Sequence, residues 1–77
     1  MPDIALPLRG DHIKLDALLK ATGLASGGGH AKTLITEGAV LVNGEVELRR
    51  GRKLRVGDTV QLHADQVTVT ADDQPSP

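Results

Sequence analysis

The sequence has no Phe, Tyr or Trp, no Cys, and a single Met in 77 residues. The missing aromatics exclude the most. Proteins that read single-stranded nucleic acid stack bases on aromatic rings, and here only three His and the Arg planes are available for that. Any nucleic acid this chain binds is therefore expected to be met through backbone and shape. The lack of cysteine excludes disulfides and thiolate zinc sites and fits a reducing compartment. No apolar run reaches the roughly 20 residues of a transmembrane helix, and the N-terminus shows no secretory pattern. The expectation is a cytoplasmic protein with no membrane partner. A chain this short makes one domain at most and buries only about 60% of its unfolded surface. With so little apolar surface to spare, a monomer is expected.

Net charge is -1, but the charge is unevenly placed. From Arg9 to Leu62 the chain carries all nine Lys/Arg against six acids, Asp11, Asp16, Glu37, Glu45, Glu47 and Asp58, a balance of nine minus six, or +3. Five of the nine basic residues, Arg49, Arg50, Arg52, Lys53 and Arg55, fall within seven positions that contain no acid. The overall balance hides a local positive patch.

The residues then lay out a succession of elements. Ile4, Leu6 and Leu8 alternate around Pro7, which suits a short edge strand because proline cannot donate to a central ladder. Arg9-Gly10-Asp11-His12 reads as a turn. Leu15, Leu18 and Leu19 follow helical spacing, and Gly23 is a stop, so a first helix is expected over about 15 to 22. Ala25-Ser26-Gly27-Gly28-Gly29 is a connector in which Ser26 is placed to cap the next helix. That helix carries Ala31, Leu34 and Ile35 on one face and stops at Gly38. Val40-Leu41-Val42, Asn43-Gly44 and Glu45-Val46-Glu47-Leu48 read as a hairpin whose two turn positions tolerate positive φ. Leu54 and Val56 return to the core, and Gly57-Asp58 turns the chain. Val60 and Leu62, then Val67 and Val69 after a turn at Ala64-Asp65-Gln66, read as two further strands. Residues 71 to 77, with Asp72, Asp73, Pro75 and Pro77, read as a disordered tail on a single domain of residues 1 to 70.

This order of motifs resembles the RNA-binding domain named after the fourth protein of the small ribosomal subunit, the αL motif. The resemblance covers residues 13 to 62. It is carried by Ile13-Lys14-Leu15-Asp16, Gly23-Leu24, Ser26, Ala31-Lys32, Leu34-Ile35, Gly38-Ala39-Val40, Val42-Asn43-Gly44 and Gly57-Asp58-Thr59-Val60. The ordered set is far more specific than any one piece. The stretch from Glu45 to Leu54 looks like the small stand-alone YbcJ-like group. The resemblance implies an α+β fold, two short helices packed on a small, mostly antiparallel sheet, with RNA against the helix pair and the start of the hairpin. Where the family often has Arg before Leu-Asp and Arg after Ser, this chain has Lys14 and Gly27.

The candidate RNA-binding residues are Lys14, Ser26, Gly28, Lys32, Arg49, Arg50, Arg52, Lys53 and Arg55. Arginine forks match phosphate oxygens and lysine adds point charge; the bland reading of the basic run is a solvated loop that protects a sheet edge. Five basic residues in seven favour phosphate contact. If the run is extended, its side chains alternate between sides, and not all five need face one ligand. Lys32 and Lys14 are ordinary surface lysines by type alone, and the resemblance raises them. Ser26 and Gly28 precede a helix, where open amides favour an anion, although a flexible turn explains them as well and the Gly-Lys-Ser/Thr ending of a P-loop is absent. Asn43-Gly44 is structural first. His12, His30 and His63 are too scattered for a metal site, Ser26 lacks an evident base, and Asp11 and Asp16 lack acid-base partners. No catalysis, cofactor or metal is expected.

The leading expectation is thus non-catalytic binding of structured RNA, of the ribosomal or transfer RNA class, through phosphates and shape, with the ribosome as a partner. The alternative is a protein-interaction module of a translation- or ribosome-associated assembly. DNA is weaker, because the second helix offers few base-reading side chains.

Overall fold

The computed structural model describes residues 3 to 72. Seven strands and two helices follow one another as β1 (Asp3–Leu8), β2 (Ile13–Lys14), α1 (Leu15–Ala21), α2 (Gly28–Thr36), β3 (Val40–Val42), β4 (Glu45–Val46), β5 (Lys53–Leu54), β6 (Thr59–Leu62) and β7 (Asp65–Ala71). Five strands form a sheet in the order β1-β7-β6-β3-β4, and β2 pairs with β5 in a separate two-stranded piece. All pairings are antiparallel except β1 with β7. This is the α+β architecture of two helices and a mostly antiparallel sheet.

Alternation decides which face is buried. Val40, Val42, Val60, Leu62, Val67 and Val69 are buried from the strands, and Leu15, Leu18, Leu19, Ala31 and Ile35 from the helices, in one cluster that also takes in Leu8 and Leu54. Ile4 and Leu6 lie opposite Val67 and Val69 and pack against the same cluster. Pro7 is accommodated because β1 is the sheet edge.

Helix ends follow their sequence signals in part. Gly23 and Gly38 adopt φ of 78° and 79°, left-handed positions that end α1 and α2. Ser26 is not the cap of α2. The N-cap is Gly27, with extended backbone and no side-chain cap bond. The amide of Ser26 instead donates to His30 Nδ1 at 3.0 Å. The helix therefore begins at Gly28, and two of the connector glycines are helical.

The hairpin turn is Asn43-Gly44 with φ of 51° and 86°, which suits the twist of a two-residue connection. It pairs Val42 with Glu45 and Leu41 with Val46. That register puts Glu47 opposite Val40, whose carbonyl accepts the Glu47 amide at 3.0 Å. The second strand is consequently shorter than the sequence suggests, ending at Val46. Glu47 turns to the buried face while Val46 and Leu48 are exposed. Leu54 enters the core as expected, but Val56 does not; it is exposed. The turn between β6 and β7 falls at His63-Ala64, with His63 at φ 54° and Leu62 paired to Asp65, one residue or two before the place the sequence suggests. Ala71 closes β7, and Asp72 pairs with Arg9 at 3.1 Å. The expected tail therefore starts no earlier than residue 73, and residues 73 to 77 lie outside the described residues.

Asn43 also ties the hairpin to the next turn. Its side chain donates to Asp58 Oδ1 at 3.1 Å and accepts from the Thr59 amide at 3.0 Å. Replacing Asn43 with Ala loses these bonds and strains the left-handed position. We expect a cost of about 1–3 kcal/mol in urea unfolding. Leu48→Ala, at an exposed site, should stay within about 0.5 kcal/mol of the parent.

Candidate nucleic-acid interface

The basic run is placed by three sets of contacts. The first is backbone. The first amides of α1 have no partner within the helix, and the helix has no side-chain cap. The carbonyl of Arg52 accepts the Leu15 amide at 2.9 Å, and the carbonyl of Arg50 accepts the Asp16 amide at 3.1 Å. The start of α1 is thereby occupied by the basic run itself, with its side chains left to project. The second is the short β2–β5 ladder, which aligns Ile13 with Leu54 and Lys14 with Lys53. Leu54 is fully buried and anchors the run in the core. Lys14 and Lys53 are both exposed and directly opposite, a like-charge arrangement that destabilises a strand pair and is relieved by an anion.

The third is Glu47. Its side chain is largely covered, with 9% exposed. Arg49 donates to it through Nε at 3.0 Å, through Nη2 at 3.2 Å and through its backbone amide at 3.1 Å. Arg52 donates through Nη1 at 2.8 Å. The Arg49 and Arg52 side-chain bonds pull the Glu47 pKa from 4.5 to about 2, against a smaller opposing effect of burial. The same pairing raises that of Arg49. The turn at Arg55 to Asp58 is closed in a similar way. The Arg55 amide donates to Asp58 Oδ2 at 2.8 Å and, with a lesser bond from Asn43, holds the Asp58 carboxyl below its usual range.

The structure thus brings Lys14, Arg49, Arg50, Arg52 and Lys53 together around the start of α1. Arg55 lies at the edge of this group, in the turn that Asp58 closes. Ser26, Gly28 and Lys32 belong to α2 and its approach, and all three are exposed. They share the α1–α2 side of the molecule only through the packing of the two helices. Glu47 is the member of this cluster that sequence reasoning missed. In the sequence it counts only as one acid in the charge balance, although its place two residues before Arg49 and at the end of a hairpin strand is a readable signal. Among the described residues there is no pocket, and no group of three or more His, Asp or Glu is arranged to hold a metal. No helix among them is long and apolar enough to cross a membrane. The surface can present several cationic donors at fixed positions to a polyanion.

Comparison with known proteins identifies the family and the fold. Residues 6–70 match the family model described as S4 domain. The chain is 48% identical over 50 residues to the probable ribosome maturation protein RlbA of Bacillus subtilis, covering 65% of this chain and 70% of that protein. It is 42% identical over 60 residues to the putative RNA-binding protein YbcJ of Escherichia coli, covering 78% of this chain and 86% of that one. The solution structure of E. coli YbcJ, described as revealing an αL motif involved in RNA binding, superposes with a TM-score of 0.66 at 38% identity, over 92% of this chain and 89% of that one.

The Glu47 pairing has a pH signature. Because its folded pKa lies below its unfolded one, the stability it contributes is complete above about pH 4.5 and is lost as pH falls toward about 2. Urea unfolding of the parent and Glu47→Gln should show a constant stability gap at neutral pH that narrows across this window. A gap unchanged down to the low end would show that the carboxylate is not held this way.

Proposed function

The chain belongs to the S4 domain family, and from that premise we propose that it is a non-catalytic binder of structured RNA that reads phosphates and shape. The observation that carries the proposal is the clustering of Lys14, Arg49, Arg50, Arg52 and Lys53 around the start of α1. The Lys14–Lys53 pair and the outward side chains of the arginines supply charge, and the absence of aromatic rings leaves base stacking without a platform. Lys32, Ser26 and Gly28 extend the contact along α2, and Arg55 lies at its far edge. The RNA is of the ribosomal or transfer class. The name of the Bacillus relative, which concerns ribosome maturation, supports a ribosomal partner, and we place the protein in the cytoplasm as a monomer.

One observation favours a second reading. Val46, Leu48 and Val56 are exposed apolar residues close in sequence to the basic run, as an interaction module for an acidic protein of a ribosome-associated assembly would have. Association with such a protein that survives nuclease treatment would support that reading.

The RNA reading is tested with Lys14→Gln, Arg50→Gln and Lys53→Gln, changes that leave the Glu47 pairing intact. Each should weaken binding to a duplex RNA hairpin and lower the slope of log affinity against log salt by about 0.7–0.9 for every phosphate no longer neutralised. An affinity and slope unchanged in the folded triple variant would exclude this surface.

A further inference from the structure

Glu47 is a buried acid bonded by two arginines of the cationic cluster, and the phosphate reading alone gives it no task. We propose that Glu47 is a positioning residue that holds the guanidinium groups of Arg49 and Arg52 as one preformed receptor for a single RNA phosphate. The inference rests on the RNA reading and deepens it.

The geometry carries the argument. Glu47 Oε1 accepts from Arg49 Nη2 and Arg52 Nη1, and Oε2 accepts from Arg49 Nε and the Arg49 amide. A carboxylate has about four lone-pair sites, so this one is saturated and has no capacity for a ribose hydroxyl or a cation. Its action is internal. Each guanidinium carries about five N–H donors. Glu47 takes two from the side chain of Arg49 and one from that of Arg52. The rest point elsewhere, and the Arg49 side chain is 74% exposed. The trio sums to one positive charge, which a phosphate oxygen complements. Arginine ordinarily loses much rotamer freedom when it engages a ligand. Here part of that ordering is completed on folding, because the carboxylate bonds both guanidinium groups before any ligand arrives.

Simple electrostatics gives the opposite expectation, and that makes the idea testable. Removing an acid makes the surface more positive and should tighten RNA binding. Removing a positioning residue should weaken it. We would measure the affinity of Glu47→Gln and Arg49→Lys for a duplex RNA hairpin at fixed salt, with far-UV circular dichroism to verify folding and NMR detection of the Arg Nε protons. Glu47→Gln should bind about tenfold more weakly despite its added positive charge. The Arg49 Nε proton of the parent should be protected from solvent exchange, and Glu47→Gln should lose that protection. Arg49→Lys keeps the charge but loses the two-pronged bond, and should show a similar loss; it carries the test if Glu47→Gln does not fold. Variants that bind as tightly as the parent, or more tightly, would overturn the positioning role while leaving the RNA reading in place. A parent protein that does not bind the hairpin would overturn both.

Discussion

A carboxylate that is buried must be paired, and the pairing of Glu47 organises the rest of the cationic surface. The hairpin register fixes where Glu47 falls, opposite Val40 on the buried face. Its two oxygens then draw in Arg49 and Arg52. With those residues held, the carbonyls of Arg50 and Arg52 meet the first amides of α1, and Leu54 reaches the core. A run of five cations that would otherwise repel itself becomes a bent segment with a defined outline. The helix gains the partners its first turn lacks, and the charged side chains are left facing outward.

The same arrangement explains how a chain with an overall charge of -1 can serve a polyanion. Two of its acids, Glu47 and Asp58, are engaged inside the basic region, and four others, Asp3, Asp65, Asp72 and Asp73, lie outside the stretch from Arg9 to Leu62 that carries every Lys and Arg. Binding of this kind depends on local potential and fixed donor geometry more than on net charge. Fixed geometry matters more here because the chain has no aromatic ring on which a flexible base could stack. Its recognition would depend on the spacing of phosphates, which differs between RNA and DNA helices.

Most of the fold was legible in the sequence because its signals are local and mutually consistent. The leucine spacing of α1, the stops at Gly23 and Gly38 and the Asn43-Gly44 turn each name their own conformation. Pro7 marks an edge strand whatever strand lies beside it. The misplacements arose where a neighbouring contact or the strand register overrode the preference of a single residue. Ser26 is a good cap by type, yet His30 bonds its amide and the helix starts two residues later. Val56 reads as a core residue but is exposed, and the register of the two-residue turn leaves Val46 and Leu48 exposed as well. The candidate site shows the same division. Its basic residues are obvious as a cluster, but the pairing of Lys14 with Lys53, far apart in the chain, is a tertiary fact, and the sharing of Glu47 by Arg49 and Arg52 follows from the hairpin register.

We propose that RNA meets the helix side of the molecule, around the start of α1. The most direct test is an NMR titration of the labelled protein with a duplex RNA hairpin, followed through backbone amide shifts. We predict that the largest changes fall on Lys14 to Ala17 and Arg49 to Arg55, with smaller ones from Ser26 to Lys32. Changes confined to the opposite face of the sheet, at Leu41, Gln61, Gln66 and Thr68, which alternate with the buried strand residues, would contradict it.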